Sequence, residues 1–88
     1  MTVLTAADPA TVWMSEGVPA RLVWRGQRYV VTDMPTAIRQ ATDFFGATHA
    51  PERLVGFRFQ GTDGEGSSRI FDVHGSPAEG WHVVAYYD

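Results

Sequence analysis

ARLVWRGQRYVV, residues 20–31, is the stretch on which the fold turns. Ala20, Leu22 and Trp24 alternate with Arg21, Val23 and Arg25. That is the period of a strand buried on one face only. RYVVT (28–32) returns in the same style, and Gly26-Gln27 between them has glycine first, as a type II′ turn wants. The hairpin so built sets Trp24 opposite Tyr29 and Leu22 opposite Val31 on one face. Val23 then meets Val30 on the other, and Arg25 faces Arg28. Like charges directly opposite one another oppose pairing, so these two guanidinium groups must either splay into water or hold an acid between them. Leu22, Trp24 and Val31 are the expected core of this unit.

Working outward, TVWMS (11–15) and the turn-like EGVP precede the hairpin, and residues 1–9 read as a loose N-terminal arm with a short strand through Val3 and Leu4. After it, Asp33 and Pro35 resemble a helix cap and first turn, with Ile38, Ala41 and Phe45 at helical spacing and Gly46 as a stop. The spacing predicts a short helix over 35–45. The alternative is an irregular segment ending in a Phe44-Phe45 strand, because Thr36, Thr42 and the two phenylalanines are mediocre helix formers. GATHAPER, containing His49, reads as a loop. Three strands follow: LVGFRFQ (54–60), RIFDVH (69–74) and WHVVAYY (81–87). In these, Val55, Phe57, Phe59, Phe71, Val73, Trp81, Val83 and Ala85 form one set, and Arg58, Asp72, His74, His82, Val84 and Tyr86 the other. The expected fold is mainly β, bordering on α+β. It is a curved antiparallel sheet or partly open small barrel of five or six strands with one short helix, a single domain over 1–88.

Composition narrows the class. The chain has 88 residues, 44% of them hydrophobic and 19% charged, which is enough for a modest core and excludes wholesale disorder. It has no cysteine, so disulfides and thiolate metal sites are excluded. No apolar run approaches the roughly 20 residues of a membrane helix, and the start lacks the pattern of a signal peptide. The expectation is a cytoplasmic protein with no membrane partner. The net charge is −3, and all seven basic residues are arginine. A GC-rich genome that avoids A-rich codons would give this usage, and so would selection for planar guanidinium groups that grip carboxylate or phosphate. The acidic balance disfavours a free-standing nucleic-acid binder.

Read in order, the chain resembles a small bacterial domain family of unknown function. The resemblance runs through Pro19-Ala20, Trp24-Arg25-Gly26, Arg28-Tyr29 and Val31, the pair Phe44-Phe45, Phe57-Arg58-Phe59, Phe71-Asp72, and Gly80-Trp81 to Tyr87-Asp88. It spans roughly residues 12–88. Phe44-Phe45 stand where that pattern has tryptophans. Members of the family occur alone or appended to Y-family polymerase-like proteins of DNA-damage tolerance. The resemblance therefore implies an accessory or docking module, with no activity attached.

From the residues themselves, the first expectation is a non-enzymatic interaction module that takes a protein partner or a second copy of itself. Its surface would be built from Arg21, Arg25, Arg28 and Val30. The second is a single-stranded nucleic-acid or phosphate-ligand binder using Arg25, Arg28 and Arg58 with Tyr29 or Tyr86, where aromatic rings stack on bases. The third is a metal protein or metal-dependent enzyme. If Val73 pairs with Val83, then His74 faces His82 with Asp72 on the same side, two imidazoles and a carboxylate. The bland alternative is two polar residues on an exposed face, and no cofactor is expected. Ser15, Ser67, Ser68 and Ser76 lie in no nucleophile elbow.

Overall fold

The computed structural model describes residues 1–41 and 52–88. Seven strands make up its regular structure: β1 (Thr2–Ser15), β2 (Val18–Trp24), β3 (Gln27–Val31), β4 (Thr36–Ala41), β5 (Glu52–Thr62), β6 (Ser68–Ser76) and β7 (Gly80–Tyr87). Their lateral order is β3-β2-β1-β7-β6-β5-β4, with β3 also pairing to β5. That last contact closes a six-stranded antiparallel barrel and leaves β4 as an extra strand outside it. Every barrel strand lies beside its neighbour in sequence, except where β4 interrupts. The barrel is closed where a partly open one was expected, and among the described residues there is no helix.

The central hairpin exists, but its turn is one residue earlier. Arg25 and Gly26 occupy it with φ of 51° and 76°, positive at both positions as a type I′ turn requires. Trp24 therefore pairs with Gln27, Val23 with Arg28, Leu22 with Tyr29 and Arg21 with Val30. The pairing has slipped by two residues from the expected register. A slip of two preserves the face of every side chain, so Leu22, Trp24 and Tyr29 still point into the core. Val31 is half-buried against them. Arg25 does not face Arg28. Glu16-Gly17 forms a matching turn between β1 and β2, with φ of 52° and 83°.

The helix expected at 35–45 is replaced by β4 over 36–41, and 42–45 lie outside the described residues. The reason is an open backbone edge. β3 pairs with β5 only at Gly61 and Thr62, so the rest of that edge of β5 needs another partner. β4 supplies it from Thr36↔Arg58 to Ala41↔Glu52. Asp33 does cap, but it caps the gap between the two pairings: its Oδ1 accepts from the Gln60 backbone N–H at 2.8 Å, while the Thr32 N–H donates to the Gln60 carbonyl at 2.9 Å. Residues 1–9, expected as an arm, belong largely to β1, which pairs with β7 at Thr2↔Tyr86, Val3↔Ala85 and again from Asp8↔Val83 to Ala10↔Trp81.

The barrel interior is filled by Leu22, Trp24, Tyr29, Phe57, Phe59, Phe71, Val73, Trp81 and Val83. Phe71 sits at the centre, 5.7 Å from Trp24, 4.8 Å from Tyr29 and 6.0 Å from Phe59 between ring centroids. Edge-on and tilted rings suit the aromatic quadrupole and fill a narrow barrel densely. Small residues make the room. A Cβ on Gly61 would meet the Phe71 ring at 2.9 Å, and one on Gly56 would run into the Val73 carbonyl.

Candidate binding surface

Parity places the outer face as firmly as the core. Across β1, β2, β3, β5 and β6, one row of paired residues reads Trp13, Arg21, Val30, Thr62, Ser68. These partners of buried neighbours must face out. Trp13 remains 50% exposed and Val30 55% exposed, with Arg21 between them. The next row places Val23 beside Arg28. Together these side chains line a shallow groove of about 490 Å³ over the β2–β3 hairpin. Its floor is rigid, because Leu22 and Tyr29 on the same strands are locked in the core.

The electrostatics of this groove differ from those of the other arginines. Arg25 reaches Asp8 with its Nε at 2.6 Å from Oδ2, and its guanidinium lies 4.4 Å from the Trp24 ring centroid. Arg58 grips Asp72 through two bonds, Nε–Oδ1 at 2.6 Å and Nη2–Oδ2 at 2.8 Å. Those hydrogen bonds raise the Arg58 pKa further above its ordinary value, so it stays charged at every pH at which the chain folds. Arg69 meets Asp88 at 2.7 Å. Among the described residues, Arg21 and Arg28 pair with no carboxylate. The groove therefore carries uncompensated positive charge on a chain of net −3.

The expected site residues thus separate. Arg21, Arg28 and Val30 come together in the groove, whereas Arg25 is turned toward Asp8. Arg58 is committed to Asp72 and lies 5.3 Å from the Tyr87 ring. Tyr86 corrects the expected facing of β7. Asp72 pairs with Ala85 but Val73 with Val83, so Val84 is an extra residue that flips the parity beyond it. Tyr86 accordingly turns toward the core, 5.1 Å from Trp24. His74 does face His82 as expected. Asp72, only 8% exposed, is held by Arg58 instead of joining them. Among the described residues no three His, Asp or Glu side chains gather as a metal site. His49 lies outside the described residues.

Trp13 was missing from the expected surface. Its signal was present in TVWMS: Val12 and Met14 pack against the core, so the residue between them faces out. Comparison of the chain with protein-family models, with curated proteins and with solved structures finds no match.

Proposed function

We propose that this barrel is a non-enzymatic docking module whose partner is a protein, bound over the outer face of the β2–β3 hairpin. One observation carries the reading: Trp13 and Val30, both about half exposed, flank Arg21 in a groove where, among the described residues, Arg21 and Arg28 pair with no acid. Tryptophan and arginine dominate binding energy at protein interfaces, and an exposed apolar pair around an unpaired cation suits a segment with an apolar anchor next to carboxylates. The family resemblance of the sequence supports a setting in DNA-damage tolerance.

A second reading has one point in its favour. A half-exposed indole beside two arginines is also a stacking platform for single-stranded nucleic acid. The net charge of −3 weighs against it, since phosphate binding relies on a broadly basic surface.

Affinity purification of the tagged chain from its native host, before and after DNA damage, tests the proposal. A protein partner should co-purify with the unaltered chain and disappear with a Trp13→Ala, Arg21→Ala variant of unchanged melting temperature. Retention of the partner by that variant would place the docking surface elsewhere. Recovery of nucleic acid in place of protein, lost in the same variant, would favour the second reading.

A further inference from the structure

A second groove, sharing no residue with the first, crosses the outer face near the ends of β5, β6 and β7. Its volume is about 690 Å³, within the range of small-molecule sites. Three breaks in strand register meet in it. Val84 is the extra residue of β7 against β6. The same Val84 stands alone opposite residues 4–7 of β1, where the pairing jumps from Val3↔Ala85 to Asp8↔Val83. On β5, Val55 is extra against β4, between Ile38↔Gly56 and Arg39↔Leu54. Val84, Ala7 and Val55 all line the groove. Bulges interrupt pairing and re-aim side chains, and they gather beside binding sites.

Glycine keeps the far wall low. Gly75 has φ of 134°, and a Cβ there would strike the Gly80 carbonyl across the β6–β7 turn. The polar side of the groove is rich in donors: His74 and His82 face each other across β6 and β7, and Arg53 projects from β5. Gln40 of β4 and Ser76 of β6 are neutral, and among the described residues Glu79 of the β6–β7 turn is the one carboxylate of the lining. The apolar side consists of Val55, Val84 and Leu54.

We infer that this groove binds a small organic anion: an oxyanion held by Arg53 and the His74–His82 pair, with an apolar body against Val55 and Val84. Among the described residues, the charged and titratable groups lining the groove beside the imidazoles are Arg53 and Glu79; β1 and β4 contribute neutral Ala7 and Gln40.

Titration of the isotopically labelled chain with benzoate, phenyl phosphate and inorganic phosphate, followed by NMR in mildly acidic buffer, tests this. Saturable shifts are expected at the Gly75, Gly80 and Val84 amides and at the imidazoles of His74 and His82. Comparing benzoate with phenyl phosphate identifies which oxyanion the site takes. Inorganic phosphate should bind more weakly than phenyl phosphate, and equal affinity would overturn the apolar half of the site. Arg53→Gln should weaken binding about tenfold or more, as loss of a charge-assisted contact does. Glu79→Gln should strengthen it, a change of opposite sign that a merely structural role would not produce. Both side chains are exposed, so both variants should keep the parent melting temperature. Absence of saturation, equal affinity in the two variants, or zinc binding by the imidazoles with no anion response would each overturn the assignment.

Discussion

Among the described residues, two adopt left-handed backbone without being glycine, and they do so for different returns. Glu16 and Arg25 each occupy the first central position of a type I′ turn. A non-glycine residue there carries a penalty of roughly 1–2 kcal/mol, less for asparagine. Arg25 offsets it with Asp8 and the Trp24 ring, whereas Glu16 shows no such contact among the described residues. Glu16→Asn should therefore raise stability by about 1 kcal/mol, a shift of roughly 4–8 °C for a domain of this size. Arg25→Asn should change it by less, because the relieved strain is matched by the lost contacts. Thermal melts of the two variants side by side check the contrast. Equal gains would mean that Asp8 and Trp24 contribute nothing to holding the turn. In the core, Leu22 is fully buried, and Leu22→Ala should cost about 2–5 kcal/mol in chemical denaturation. That loss follows from its facing, which the two-residue slip left unchanged.

Elements differ in how firmly they are held. β6 pairs on both edges, with β5 and β7, while among the described residues β4 pairs with β5 alone. Hydrogen exchange should accordingly protect the amides of β6 close to the global limit and those of β4 well below it. Uniform protection across both would show that β4 opens only with the barrel. The ion pair joining β5 to β6 follows the same logic of enclosure. Asp72 is buried beneath Arg58, whereas Asp8, the partner of Arg25, is about a third exposed. Removing Arg58 strands a desolvated carboxylate, while removing Arg25 returns Asp8 to water. Arg58→Ala should lower stability by more than Arg25→Ala in denaturant titrations, and the reverse order would contradict the burial of Asp72.

At the scale of the molecule, closure depends on the N-terminal segment. Asp8, Pro9 and Ala10 pair with Val83, His82 and Trp81, sealing the seam between the two halves of the chain. Leu4 and Ala10 also pack against the core. Deleting residues 1–9 should open the barrel and lower the melting temperature by more than about 10 °C, the effect of losing several kcal/mol in a domain this small. A tolerated deletion would mean that the segment is an arm after all. Tryptophan fluorescence gives a view of the same architecture. Trp24 and Trp81 are 2% and 6% exposed, so Trp13 alone should account for quenching by acrylamide, and Trp13→Phe should abolish it.

The alternation of Leu22, Trp24, Tyr29, Phe57, Phe59, Phe71 and Val73 was readable directly, because a strand's period of two is a local property of backbone geometry. The same rule made the outward facing of Arg21, Val30, His74 and His82 legible before any fold was known, while the pairing of His74 with His82 rested on the register that sets Val73 beside Val83. What the chain could not announce locally was everything set by a partner strand. The fate of 36–41 depended on the vacant edge of β5, left where β3 pairs over two residues only. The inward turn of Tyr86 depended on Val84 bulging against β6 and β1 together. The assignment of Asp72 to Arg58 instead of the histidines came from the β5–β6 register. Periodicity decides which face a side chain takes along an unbroken strand. Bulges, closure and ion-pair choice are decided only when distant backbone groups find their hydrogen-bond partners in the assembled barrel.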